Sequence, residues 1–297
     1  MSERRRERVL EVNGLKLACR LWGEPGSGLP VLALHGWLDN AASFDAIACR
    51  LPRLHLCALD LPGHGLSQHR AEGASYHFID YVADALAVAD ALDWERFTLI
   101  GHSLGAGIAM LLAAVAADRV QRAVLIEGLG PATTPPGDAP EALRRALADS
   151  RRAERATRMV YATFDAAVEA RMNGISKLSE QAARTLCERG LERTNQGYVW
   201  RSDRRLRAGS RLRLTEEQVL AFIRAMHVPT LLIRAEPGYP FDEPARAARV
   251  DAHPDLRVTR VAGSHHLHME DAAPRVAELI DAFLCDVVAG PSGAERL

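Results

Sequence analysis

A serine flanked by two glycines, in the run Phe97-Thr98-Leu99-Ile100-Gly101-His102-Ser103-Leu104-Gly105, is the most chemically suggestive feature of this 297-residue chain. The spacing is G-x-S-x-G, with an apolar strand-like stretch before it and an Ala-rich helical stretch after it. A sharp turn there would hold Ser103 in strained backbone geometry, its hydroxyl projecting. Gly101 and Gly105 would let strand and helix approach closely. The backbone N–H of Leu104, at the helix start, would point at a developing oxyanion, and the helix dipole would add positive potential. This spacing predicts a nucleophile for acyl transfer; the bland alternative is an ordinary turn serine.

A serine hydroxyl is a poor nucleophile unless a base lies within hydrogen-bond reach. Of 11 histidines, His265, His266 and His268 follow the apolar run that ends at Val261-Ala262-Gly263. A third group must orient the imidazole and stabilise its charged form. Glu127 closes the apolar run Ala123–Ile126, 24 residues after Ser103. A carboxylate at a strand end is costly to bury unpartnered, which favours pairing with the base. Capping a loop, or pairing with a nearby arginine, is the plain structural alternative for Glu127.

The elements that must position these groups follow from periodicity. Arg8–Val12 and Leu15–Trp22 read as strands joined at Asn13-Gly14, a hairpin turn signal. Pro30–Leu34, Leu54–Leu59, Phe97–Ile100, Ala123–Ile126, Thr230–Ile233 and Arg257–Val261 are short apolar runs with strand character. Helical spacing marks Tyr76–Leu92, with Ile79, Val82, Ala83, Leu86 and Ala89 on one stripe, and also Leu104–Ala117, Glu243–Val250 and Ala272–Val288. Strands alternating with helices predict an α/β fold built on a parallel sheet. The alternation breaks at Pro131, Pro135, Pro136, Gly137 and Pro140. From Glu141 to about Ala225 the pattern is helical and Arg-rich, with Tyr198–Trp200 the one candidate strand, so the core is expected over 1–130 and 226–297, with 131–225 an insertion. That insertion carries 18 Lys and Arg against 12 Asp and Glu, over an acidic remainder. A solvated or ion-paired helix face is the ordinary reading of such a stretch, and an anionic ligand the sharper one.

In this order, His35-Gly36-Trp37-Leu38-Asp39-Asn40, Asp60-Leu61-Pro62-Gly63-His64-Gly65-Leu66-Ser67, Gly101–Gly105 and Gly263-Ser264-His265-His266-Leu267-His268-Met269-Glu270 resemble the α/β-hydrolase superfamily, within it the serine hydrolase-like, esterase-type group. The resemblance spans nearly the whole chain, least clearly the insertion. It implies a mostly parallel eight-stranded sheet flanked by helices, with an inserted helical cap. It implies His265 as the base, five residues before Glu270, with His266 the next candidate and His268 a pocket or packing residue. It implies the backbone N–H of Trp37 as the second oxyanion donor beside Leu104, with His35, Gly36 and His102 near the substrate. His64 would be structural. Many relatives carry Asp shortly after the strand corresponding to Thr230–Ile233; here Gly238 stands there. Glu127 therefore remains the leading acid, with Glu236 and Asp242 as alternatives.

The implied function is hydrolysis of carboxylic esters or thioesters through a Ser-His-acid triad and an acyl-enzyme intermediate. Relatives with other chemistry keep two alternatives open: C–C bond hydrolysis or cofactor-free haloperoxidase activity, and a non-catalytic binding protein. Composition narrows the field. With 37 Lys and Arg against 38 Asp and Glu, no chain-wide basic field points to nucleic acid. The longest run free of charged or strongly polar residues, Leu104–Ala117, is shorter than the ~20 residues a bilayer span needs. The N-terminal run lacks an apolar segment of secretory type, so a cytoplasmic protein with no membrane partner is expected. Five cysteines without a CxxC pair predict free thiols. No cofactor is expected, and no metal: adjacent histidines on one short loop do not easily face one ion, and no carboxylate spacing supports a site. The expected partners are a small acyl substrate and water.

Overall fold

The structure is a computed structural model, and it describes residues 5–238 and 243–285. In chain order the strands are β1 Arg5–Val12, β2 Leu15–Trp22, β3 Leu29–Leu34, β4 Leu54–Leu59, β5 Phe97–His102, β6 Val120–Ile126, β7 Leu191–Thr194, β8 Gly197–Trp200, β9 Thr230–Pro237 and β10 Leu256–Gly263. The helices are α1 Asp45–Ala48, α2 Asp80–Ala91, α3 Leu104–Val115, α4 Ala139–Arg155, α5 Phe164–Met172, α6 Glu180–Gly190, α7 Glu216–Ala225, α8 Glu243–Ala252 and α9 Ala273–Cys285. Among the described residues, eight strands form one sheet in the order β1-β2-β4-β3-β5-β6-β9-β10. β2 pairs antiparallel with β1 and β4; the other pairs are parallel. The fold is therefore the expected mostly parallel α/β-hydrolase sheet.

The short apolar runs form central strands because both of their faces are covered. All six residues of β4 and of β5 are buried. α3 lies on one face; its residues Gly105–Ala113 are all buried. One apolar layer joins Ile108, Met110 and Leu112 of α3 to Leu99 of β5 and Val88 of α2, and the opposite layer joins Ile100, Val124 and Ile233 to Ile280 of α9. Each such side chain contributes ~1.5–3 kcal/mol of apolar burial. The Asn13-Gly14 turn forms as expected, both residues at positive φ.

Two expectations shift. The helix predicted from Tyr76 begins at Asp80, and Ile79 is exposed rather than on the core stripe. Tyr76 is held in the preceding loop, where its hydroxyl donates to Asp203 Oδ2 at 2.8 Å and accepts from the Arg70 N–H at 3.0 Å. The stretch expected to be inserted up to residue 225 divides near Thr215. α7 joins the main core through Val219 and Ile223. Arg249 of α8 pins it, with Nε and Nη2 donating to Glu216 at 2.7 and 2.6 Å and Nη1 to the Leu129 carbonyl at 2.9 Å. The preceding part of the stretch contains α4, α5, α6 and the β7–β8 hairpin, with a separate small core around Ala183, Leu186 and Cys187.

Candidate active site

Ser103 sits at the tip of β5 with φ 51° and ψ −109°. A side chain in this region is strained, at a cost on the order of 1–3 kcal/mol. The surroundings enforce it. The Ser103 N–H donates to the Ile126 carbonyl at 2.9 Å. A Cβ on Gly105 would collide with the Leu34 carbonyl, and one on Gly101 with the Gly105 carbonyl. Both glycines are thus required by close approach of strand and helix. Leu104 opens α3, so its N–H has no intrahelical acceptor.

Glu127 stands at the tip of the adjacent strand β6, also at positive φ (53°). Its N–H donates to the Ile233 carbonyl at 2.9 Å. One carboxylate oxygen accepts from the Ala235 N–H at 2.7 Å, and the other lies 3.1 Å from His265 Nδ1. The side chain is 7 % exposed. His265 follows β10, and its carbonyl accepts from His102 Nε2 at 2.9 Å, its ring 4.8 Å from the His102 ring. The base loop is thereby fastened to the residue preceding Ser103.

The structure brings Glu127 and His265 together, and sets Ser103 and Glu127 at the tips of the adjacent strands β5 and β6. It does not bring Glu236 there. Glu236 is exposed, its nearest ionic partner Arg260 at 4.0 Å. Asp242 lies outside the described residues. Gly238 has φ +63°, and a Cβ there would meet the Ala235 carbonyl and come within 3.0 Å of Glu127 Oε2. The Glu127 carboxylate occupies the space a side chain at position 238 would need, a physical reason for glycine there.

His266 faces another partner. Its Nε2 lies 3.1 Å from Asp39 Oδ2 and its Nδ1 3.2 Å from Ser176 Oγ. His35 and His102, expected near the substrate, are fully buried instead. His35 Nε2 accepts from the Leu61 N–H at 3.0 Å, and its Nδ1 lies 2.7 Å from the Gly36 carbonyl. Both imidazoles brace loops, and burial pushes each down to about 4, so they are neutral near pH 7. His64 is buried too, pushed down to about 3 by the same cause. Gly36 is buried and lies against His102 and Asp39. Trp37 is half-exposed, and its indole N–H donates to the Leu206 carbonyl at 2.9 Å. His268 is wholly buried, and burial holds it well below the usual histidine range.

Asp39 is the residue that sequence reasoning missed, although it stands in a motif that carried the resemblance. Burial would raise its carboxyl, but His266 and Arg171 outweigh that and hold it well below the usual carboxylate range. Arg171 Nη2 reaches its Oδ1 at 2.8 Å. Arg171 belongs to α5, in the insertion. Other polar ties run the same way: Asn40 Nδ2 donates to the Leu186 carbonyl at 2.9 Å, and Glu270 Oε1 accepts from the Ser179 N–H at 2.9 Å. The insertion therefore packs against the loops after β3 and β10, at the carboxyl edge of the sheet, where open α/β sheets place their sites.

A nucleophile-type turn before a buried helix, on this sheet order, defines the class. The chain belongs to the family described as alpha/beta hydrolase fold, whose model matches residues 30–272. Within it the chain falls in the serine hydrolase-like group. A serine hydrolase-like protein of Danio rerio is 31% identical, over 91% of this chain and 85% of the relative. A probable serine hydrolase of Drosophila melanogaster is 32% identical, over 86% of this chain and 80% of the relative. Among solved structures, a hypothetical protein from Pseudomonas aeruginosa is 44% identical, with TM-score 0.88, covering 94% of this chain and 99% of that one. No helix among the described residues is long and apolar enough to cross a membrane.

Proposed function

We propose that this chain is a serine hydrolase acting on carboxylic esters or thioesters. The observation that carries the reading is the Glu127 carboxylate, which bridges the Ala235 N–H and His265 Nδ1. A buried acid held this way fixes the imidazole with Nδ1–H toward Glu127, leaving Nε2 as the base. His265 then takes the Ser103 hydroxyl proton as Oγ bonds to the carbonyl carbon. The Leu104 and Trp37 backbone N–H groups receive the oxyanion. His265 returns the proton to the leaving alcohol or thiol as that bond breaks. Water then repeats the sequence, with His265 again as base, and releases the acid and free Ser103. This reaction calls on no cofactor. The inserted segment acts as a cap that limits which acyl groups reach Ser103.

Against a binding-only protein stands the position of the carboxylate: Gly238 removes the common acid, yet Glu127 fills that space. The test is a fluorophosphonate probe with intact-mass readout. One adduct, absent in Ser103→Ala, is the expected result. No adduct on the folded protein, even with small probes, would contradict an activated serine. Turnover of simple aryl esters would then separate an esterase from a C–C bond hydrolase.

A further inference from the structure

Behind the nucleophile turn lies a second polar cluster that the proposed reaction does not use. Asp39, His102 and His266 come from three loops or strand ends: after β3, at the end of β5, and after β10. All three are buried. Arg171 takes Asp39 Oδ1, which leaves Oδ2 facing both imidazoles. His266 Nε2 is 3.1 Å from Oδ2, and His102 Nδ1 is 3.6 Å from it. The latter is beyond hydrogen-bond length, and His102 Nδ1 is a buried nitrogen without a hydrogen-bond partner. The reason is visible in the other nitrogen. His102 Nε2 carries its proton toward the His265 carbonyl, so Nδ1 of the neutral ring bears a lone pair aimed toward a carboxylate. A buried lone pair without a donor, 3.6 Å from a carboxylate oxygen, is a pair of donor atoms that a metal ion can join.

We propose that Asp39 Oδ2, His102 Nδ1 and His266 Nε2 bind a transition-metal ion of the zinc type. Tetrahedral zinc, with bonds of ~2.0–2.1 Å, sets neighbouring donors about 3.3 Å apart. The two separations from Oδ2, 3.1 and 3.6 Å, bracket that value. Residue 36 is glycine, and a Cβ there would sit 2.8 Å from His102 Nδ1 and 2.9 Å from Asp39 Oδ2, so no side chain stands against the donors from that loop. The donor set, two imidazoles and one carboxylate, suits zinc rather than magnesium or calcium. Proton balance needs no co-reactant. His266 moves its proton from Nε2 to Nδ1, where Ser176 Oγ turns from donor to acceptor. Arg171 opposes the ion's charge and sets the affinity below that of a closed structural site. The ion is a ligand that ties three loops around Ser103 and His265, and it has no part in the acyl-transfer steps.

The test uses chelator-treated full-length protein and the metal alone. Titration calorimetry with Zn2+ is expected to give about one ion per chain, and thermal melts a Tm that rises with Zn2+. Co2+ is expected to give the visible bands of a four- or five-coordinate N/O site without thiolate charge transfer. His266→Gln and His102→Gln, each checked for folding by circular dichroism, are expected to weaken Zn2+ binding by about 30-fold or more. Arg171→Gln is expected to strengthen it, by about tenfold. Absence of stoichiometric binding to the wild type would overturn the proposal. So would unchanged affinity in a folded His266→Gln or His102→Gln protein, or a thiolate band with Co2+. Each readout is independent of hydrolase activity, so an inactive Ser103 would not disturb it.

Discussion

The turn that carries Ser103 and the Arg-rich segment of α4, α5 and α6 are held by different forces. Around Ser103 the constraint is steric: Gly101 and Gly105 exist because Cβ atoms would strike backbone carbonyls that cannot move. In the insertion the constraint is ionic. Arg189 of α6 is almost completely buried; its Nε donates to both Asp60 oxygens at 3.0 and 2.9 Å, and its Nη1 to both Glu7 oxygens at 2.8 Å. Arg171 reaches Asp39 in the same way. The α4 helix buries only Ala146 among its seventeen residues and leaves Leu143 and Leu147 exposed. A sterically defined site keeps one geometry. A segment held by a few charged anchors on a thin apolar core can be displaced at lower cost, as the cap proposed for this chain requires.

That contrast can be broken or sharpened by substitution. Gly105→Ala is expected to be the most damaging, costing more than about 4 kcal/mol because the methyl must displace the Leu34 carbonyl. Urea unfolding would show it, and a loss under about 1 kcal/mol would mean the turn is softer than its geometry implies. Arg189→Met should cost about 3–5 kcal/mol by leaving Asp60 buried without its cation. The same experiment checks it, and limited proteolysis should show the insertion cut first.

Acid should weaken the core through its neutral histidines. His35, His64 and His102 protonate near 6.5 when unfolded but only at about 4, 3 and 4 when folded. Their folded values are depressed, so their contribution is complete above pH 6.5. It is lost as pH falls from there toward 3–4, at about 1.4 kcal/mol per pH unit for each histidine. Denaturation at pH 7 and pH 5 would test this, and equal stabilities would contradict it. The smallest effect belongs to the exposed face of α4. Arg152→Ala, removing a surface pair with Asp149, should change stability by less than about 0.5 kcal/mol.

The same division governs what the sequence revealed. Strands β2 and β4 were legible to the residue and β3 within one, because buried strands must be short apolar runs; β1, β6 and β9 extend three or four residues beyond the runs that marked them, and β7 was not read. The Ser103 turn was legible because steric need selects glycine at fixed offsets. The Glu127–His265 contact was half legible: burial cost pointed to a partner for Glu127, but only the geometry shows its carboxylate in the space that a side chain at Gly238 would need. The insertion read poorly. Its helices are amphipathic without a strong apolar stripe, and nothing in the sequence marked Thr215 as the point where α7 returns to the core. Asp39 was hidden for a further reason. Its partners lie 63, 132 and 227 residues away, at His102, Arg171 and His266, and no local pattern joins them.

Glu127, in place of an acid after β9, is the residue proposed to orient His265. Glu127→Gln and Glu236→Gln, measured side by side for kcat/KM on an aryl ester, test it most directly. Loss of the buried carboxylate should lower kcat/KM by about 10³–10⁴-fold, while Glu236→Gln should leave it within about twofold. A folded Glu127→Gln enzyme of near-normal activity, or a comparable loss in Glu236→Gln, would contradict the account.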